Sequence, residues 1–287
     1  MTTPAIGIIG GSGLYEIESL EVVERHAIVT PFGNPSDQIV EGRLAGRTVF
    51  FLPRHGRGHR LLAHEINHRA NIWALRSLNV RWVVSVTAVG SLKEELAPRD
   101  VVIPDQLMDK TGKGDQHTFF GNGIAAHVGF ADPYSAEMRR HVLEAAAKHT
   151  EKFHDGGTYV SMNGPAFSTR AESHMHRALG FDLIGMTNAG EARLCREAEI
   201  AMATLALVTD YDCWKEGEAA VDVASVVANL NANSTLAKDI IQTLVPSLPE
   251  NPDWIEHSSL DTAILTPISS WPSGTSRKLF PILGRFL

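Results

Sequence analysis

Two aspartates, Asp210 and Asp212, follow the strongly apolar run Ala201–Val208. They stand two residues apart, so on an extended backbone both carboxylates face the same way. Paired carboxylates raise each other's proton affinity, and burial adds to the effect. Such a pair suits a group that must protonate a departing heterocycle. It also suits a metal, or a turn with two solvated aspartates, and spacing alone leaves these open.

The densest cationic chemistry lies in Pro53–Arg60, where three arginines and two histidines fall within eight residues at the end of an apolar run. The planar fork of Arg54 can grip two oxygens of an oxyanion, and His55 can donate a third bond. The alternative is a solvated basic loop. Ligands of open α/β sheets gather at strand ends, which favours the functional reading. A second anion candidate is Gly10-Gly11-Ser12-Gly13, which follows Ala5–Ile9 and combines free backbone N–H groups with the Ser12 hydroxyl. Glu16 stands where the dinucleotide pattern G-x-G-x-x-G needs its last glycine, so that fingerprint fails; an ordinary turn reads as well as a phosphate loop. Val86-Thr87-Ala88-Val89-Gly90-Ser91 ends another apolar run in small residues and hydroxyls, which lets a ligand approach backbone closely. It also reads as a plain strand-to-loop turn.

His64-Glu65-Ile66-Asn67-His68 matches H-E-x-x-H, the zinc hydrolase signature. The spacing predicts both imidazoles on one helix face. A zinc site needs a further ligand, and only Glu94 or Glu95 offers itself. With 13 histidines in the chain, a chance match is easily met.

These residues need elements to hold them. Ala5–Ile9, Thr48–Leu52, Trp82–Val86, Val101–Ile103, Thr158–Met162, Leu183–Met186 and Ala201–Val208 read as buried strands. Helical periodicity covers Ile66–Leu78, Thr169–Leu179 and Asp222–Leu244; the second opens with a capping box, Thr169 and Glu172, and closes at Gly180. The alternation predicts one α/β domain over residues 1–248, with a central mixed sheet flanked by helices. Residues 249–287 read as an extended, Pro- and Ser-containing tail packed on the domain or on a neighbouring subunit, since prolines break regular structure. Composition allows a sizeable core, with 44% apolar and 21% charged residues. A net charge of −7 argues against nucleic acid as partner. Two cysteines cannot build a disulfide framework, and no signal peptide or membrane-length apolar run is apparent, so a cytoplasmic location is expected.

Taken together, the chain resembles the S-methyl-5'-thioadenosine phosphorylases, within the trimeric purine nucleoside phosphorylase superfamily. The resemblance is carried by Ile8–Leu14, Thr30–Gly33, Arg54-His55-Gly56, Asn71–Leu75, Ala88–Ser91, Gly164–Glu172, Gly185–Asn188 and Thr209–Glu216, in family order across about Ala5 to Val245. It implies that Ser12, Arg54, His55, Thr87, Ala88 and Thr187 surround phosphate. It implies that Met186 contacts the ribose hydroxyls, and that Phe167, with the adjoining Ser168, packs against ribose and base. Asp210 and Asp212 would be the catalytic pair holding N7 and the 6-amino group of adenine. Val223, Val226 and Val227 would line the alkylthio pocket, and His127 would reach a neighbour's site in a homotrimer. Phosphate would be a co-substrate that attacks the anomeric carbon of an oxocarbenium-like sugar; no metal or other cofactor is implied.

Three departures bear on specificity: Ala166 stands where the family usually has arginine, Gly190 where proline is usual, and Asn163 where glutamate is frequent. His68 stands where relatives carry tyrosine, which weakens the zinc reading. The rival within the superfamily is phosphorolysis of a 6-oxopurine nucleoside, such as methylthioinosine, inosine or guanosine. Carboxylates accept hydrogen bonds and so favour a 6-amino group. The rival from another class is a zinc hydrolase built on His64 and His68.

Overall fold

The computed structural model describes residues 4–11, 20–217, 223–251 and 253–287. In chain order the strands are β1 (Ala5–Gly10), β2 (Glu21–His26), β3 (Ile39–Leu44), β4 (Arg47–Pro53), β5 (Val80–Ser91), β6 (Val101–Ile103), β7 (Gln106–Asp109), β8 (Phe153–Asp155), β9 (Thr158–Ser161), β10 (Leu183–Gly185) and β11 (Ala201–Asp210). The helices are α1 (His68–Ser77), α2 (Ala136–Ala146), α3 (Arg170–Ala178), α4 (Asn188–Glu197), α5 (Val223–Ser247), α6 (Ser273–Lys278) and α7 (Phe280–Leu283).

The strands form one mixed sheet centred on β5, which pairs in parallel with β1 on one edge and with β11 on the other. Both faces are covered, which is why these strands read as unbroken apolar runs. Ile6 and Ile8 of β1 point to one face, with Val84, Leu205 and Leu207, against Met138 and Val142 of α2 and Ile240, Ile241 and Leu244 of α5. Ala5 and Ile9 point to the other, with Val83, against Ile72 and Leu75 of α1 and Leu194 and Cys195 of α4. The mixed sheet flanked by helices is therefore as the sequence predicts.

The differences have physical causes. β2 is an exposed edge strand of sequence EVVERH, with no apolar run to mark it. β7 and β8 are short and partly exposed. α2 and α4 were not expected as helices: α2 is capped by Ser135 and buries only Met138, Val142, Ala145 and Ala146, and α4 starts at Thr187 without a side-chain cap bond and buries mostly small or polar residues.

The C-terminal stretch, expected to be extended and packed on the domain or a neighbouring subunit, packs on the domain but is not extended. Pro246 lies inside the last turn of α5, where the missing N–H costs only a terminal bond. The chain beyond folds into short 3₁₀ turns, α6 and α7. Leu260, Leu279, Ile282 and Leu283 are buried in the same core cluster as α1 and α4. The Trp73 indole N–H donates to the Lys278 carbonyl at 2.8 Å, and the Arg285 Nε donates to the buried Glu199 at 2.9 Å.

Candidate active site

The site begins as an interruption in the sheet. β1 accompanies β5 only as far as Gly10, opposite Val86. On the same edge β10 takes over at Gly90 and Ser91, in the opposite direction. Among the described residues no strand covers Thr87, Ala88 and Val89 on that edge. Their backbone can therefore serve a ligand.

Arg54 enters this region from the end of β4, its backbone N–H held by the Gly10 carbonyl at 2.9 Å. Its side chain is 2% exposed. Nε donates to Glu191 Oε1 at 2.5 Å and Nη2 to Glu191 Oε2 at 3.2 Å. Nη2 also donates to Ser85 Oγ at 2.7 Å, and Nη1 to the Val86 carbonyl at 3.0 Å. A guanidinium has five N–H donors, so a single one, on Nη1, remains for a ligand. It lies on the side of Gly11, whose Cβ position is 3.8 Å from Nη1. The fork that could have held two phosphate oxygens is thus occupied by a carboxylate. The buried charge is paired and hydrogen-bonded, as the low dielectric there requires. Glu191 was not legible as a site residue. The available signals were Ser85, a lone hydroxyl in the run Trp82–Val86, and the need of a buried arginine for a counter-ion.

The neighbouring elements carry hydroxyls and a neutral imidazole. Thr187 caps α4 without a side-chain cap bond, and its Oγ1 is buried with no partner. Thr87 is 7% exposed, and its hydroxyl donates to the Ala88 carbonyl at 3.3 Å. His55 stacks on His59 with ring centroids 4.2 Å apart. Its Nδ1 lies 2.9 Å from the Leu61 carbonyl, which makes Nδ1–H the donor and leaves a lone pair on Nε2. Burial first, and the Arg54 charge second, lower its pKa to about 4. At neutral pH His55 thus offers the cavity an acceptor rather than the donor its sequence position suggested. Ser12 lies outside the described residues.

At the other side of β5 stands Asp210, at the end of β11 and opposite Gly90 after a bulge. Oδ2 accepts from Thr209 Oγ1 at 2.7 Å and Oδ1 from the Asp212 backbone N–H at 2.8 Å. Burial, opposed in part by these bonds, raises its pKa from 3.8 to about 6, with the Asp212 charge adding a smaller push. Gly90 makes room here, since a Cβ would lie 3.0 Å from Asp210 Oδ1 and press on it. Asp212 has φ +50 and a buried, unpartnered Oδ2. The two carboxylates are therefore related by a left-handed turn, not by the extended backbone expected. Cys213 Sγ donates to the Ser168 carbonyl at 3.2 Å, which draws the Phe167–Ser168 segment beside this turn. Phe167 is 43% exposed. Asn229 of α5 donates to the Thr209 carbonyl at 2.7 Å, so α5 borders the same end.

The remaining candidates sort by place. Met186 lies between β10 and Thr187, its sulfur filling the space where a Cβ on Gly164 would come within 2.6 Å. With Asn163, Gly190, His68 and His117 it lines a cavity of about 280 Å³. A Cβ on Gly190 would lie 2.7 Å from the His68 ring and 2.9 Å from His117 Nε2, so the two imidazoles occupy the room that glycine leaves. Ala166 is exposed. Val226 is half-buried, Val227 is 41% exposed, and the Val223 side chain lies outside the described set. His127 is exposed and lines an adjoining hollow of about 470 Å³, which shares His117 with the first, along with Phe120, Phe130, Arg193 and Glu197.

His64 and His68 do not share a helix face. His64 sits in a 3₁₀ turn, Asn67 caps α1 by accepting from the Ala70 N–H, and His68 is the first helical residue. Among the described residues the one trio of potential metal ligands is Glu24, His26 and Glu41, on the β2–β3 edge.

A profile of the phosphorylase superfamily matches residues 5–246. The S-methyl-5'-thioadenosine phosphorylase of Geobacter sulfurreducens is 48% identical over 98% of this chain and 99% of its own length. That of Koribacter versatilis is 50% identical over 98% of this chain and 96% of its own. A methylthioadenosine phosphorylase from an antarctic soil metagenomic library superposes with a TM-score of 0.92 at 47% identity, covering 99% of this chain and 100% of that one. The methylthioadenosine phosphorylase of Schistosoma mansoni, solved with adenine, gives 0.81 at 36% identity over 85% of this chain and 91% of that one.

Proposed function

The chain belongs to the phosphorylase superfamily, and from that premise we propose how its two polar poles divide one reaction. The enzyme cleaves the N-glycosidic bond of S-methyl-5'-thioadenosine with inorganic phosphate, giving adenine and 5-methylthioribose 1-phosphate. Phosphate occupies the open edge of β5, among Ser12, the free N–H of Arg54, Thr87, Ala88 and Thr187, with its own O–H donating to His55. Met186 takes the ribose hydroxyls, and Phe167 and Ser168 cover ribose and base. Asp210 and Asp212 meet the purine, Val223, Val226 and Val227 the methylthio group, and His127 completes a neighbouring site in a homotrimer.

The observation that carries this division is Asp210, a carboxyl held protonated to about pH 6 at one flank of β5, opposite unpaired donors at the other. As the C1'–N9 bond lengthens, its electron pair moves into the purine and Asp210 passes a proton to N7, so adenine leaves neutral. The sugar becomes cation-like at C1', and a phosphate oxygen closes on it from the cradle. Asp212 accepts from the 6-amino group. The steps call on no metal, and the two free thiols, Cys195 and Cys213, suit a reducing cytoplasm.

The test is release of adenine from methylthioadenosine by purified protein, with and without phosphate and with EDTA. Release that needs phosphate and survives chelation supports the reading. Release without phosphate, or its loss to chelator, overturns it. Faster cleavage of inosine or methylthioinosine would move the substrate to the 6-oxopurines.

A further inference from the structure

Beneath the phosphate cradle lies a hydroxyl that the reaction above does not use. Tyr159 stands on β9 beside Leu183 of β10, its ring wholly buried among Val89, Leu183, Ala206 and Val208. Its phenolic oxygen is buried and has no hydrogen-bond partner. Phenylalanine would fill the same apolar space without leaving a donor unpaired. The fold nevertheless clears a place for this oxygen: a Cβ on Gly185 would lie 1.8 Å from Tyr159 Oη. Gly185 begins the stretch Gly185-Met186-Thr187 that delivers a phosphate-facing hydroxyl, and Thr187 Oγ1 is itself buried and unpartnered. The Thr87 hydroxyl and the Thr187 backbone N–H face the phenol without closing a hydrogen bond of full geometry. Burial pushes the phenol up to about 12, so at neutral pH it keeps its proton and can donate.

We propose that Tyr159 is a positioning residue of the cradle, which sets the direction in which Thr87 presents its proton to a phosphate oxyanion and holds the Thr187 backbone beside it. When the anion arrives, the Tyr159 O–H donates to Thr87 Oγ1. Thr87 then turns its own proton from the Ala88 carbonyl toward a phosphate oxygen, and the phenolic lone pair receives the Thr187 N–H. A chain of aligned hydroxyls donates more strongly than an isolated one. Tyr159 does not touch the nucleoside, so its effect falls on phosphate.

The inference rests on the phosphate reading of Thr87 and Thr187, and its test separates the two. Tyr159→Phe keeps the ring and removes the hydroxyl. With saturating methylthioadenosine, the KM for phosphate should rise about tenfold, the loss of one polarised donor, while kcat stays within about twofold. Without phosphate the variant should melt at or above the wild-type temperature, and the rise in melting temperature on adding phosphate should shrink. Calorimetric titration with inorganic phosphate reads the same weakening without turnover. An unchanged phosphate KM and thermal response would overturn the role, as would a variant that fails to fold, since that makes the hydroxyl structural. Wild-type protein that releases no adenine in phosphate would instead sink the phosphorylase reading.

Discussion

Asp210 can act as an acid because its site disfavours its charge. Its pKa is raised from 3.8 to about 6, so the folded chain binds this proton more tightly than the unfolded chain. Stability is therefore favoured at low pH and declines as pH rises from about 4 through 6. The cost above that window is on the order of 3 kcal/mol. Asp210→Asn should thus raise the melting temperature at pH 8 more than at pH 4. It should cut turnover of methylthioadenosine by about 10²–10⁴-fold. In the wild type, kcat/KM should fall as pH rises through about 6, and that limb should be missing in the variant. An unchanged pH profile would remove Asp210 from proton transfer. Glu191 is the complementary case. Glu191→Ala strands the Arg54 guanidinium in the core and should cost about 3–5 kcal/mol in urea unfolding, with phosphate binding lost as Arg54 reorients. Arg54 and Asp210 stand out in the sequence as candidates because each ends an apolar run. Glu191 does not, since it lies 137 residues from Arg54 and only the tertiary fold joins them. The turn at Asp212 was likewise hidden, because φ +50 depends on what its N–H finds to bond.

At the level of elements, α4 shows how local propensity can be inverted by packing. Replacing a helical glycine by alanine ordinarily stabilises, by about 0.5–1 kcal/mol. At Gly190 a Cβ would press on His68 and His117, both buried. Gly190→Ala should therefore destabilise by about 1–3 kcal/mol, and a gain in thermal stability would show that the imidazoles yield freely. Proline, usual in the family at this position, would meet the same rings. The buried strands were legible as runs because both faces of the sheet are covered. The edge strand β2, with exposed Val22 and Val23 between charges, was not, because an edge needs no apolar alternation. The shared helix face that the H-E-x-x-H spacing predicted fails because the Asn67 side chain caps α1 and starts the helix at the second histidine.

For the whole molecule, the C-terminal stretch is where composition and structure part. Prolines and serines suggested an extended tail, yet its apolar residues, Leu260, Leu279, Ile282 and Leu283, complete the core beside α1 and α4. Counting prolines says where helices stop, not whether the chain between them is buried. Truncation after Leu248 should therefore abolish cooperative unfolding, and a truncated chain with wild-type melting would show the segment to be an accessory. The interruption along β5 has a last consequence. Where, among the described residues, Thr87, Ala88 and Val89 have no partner strand on the β1 edge, a phosphate bound there as proposed would tie the Gly10–Arg54 side to the Met186–Thr187 side. The empty enzyme should breathe along that seam, with fast isotope exchange at the Ala88 and Thr187 amides. Loading the anion should latch it, so that one reactant also stiffens the frame around the other.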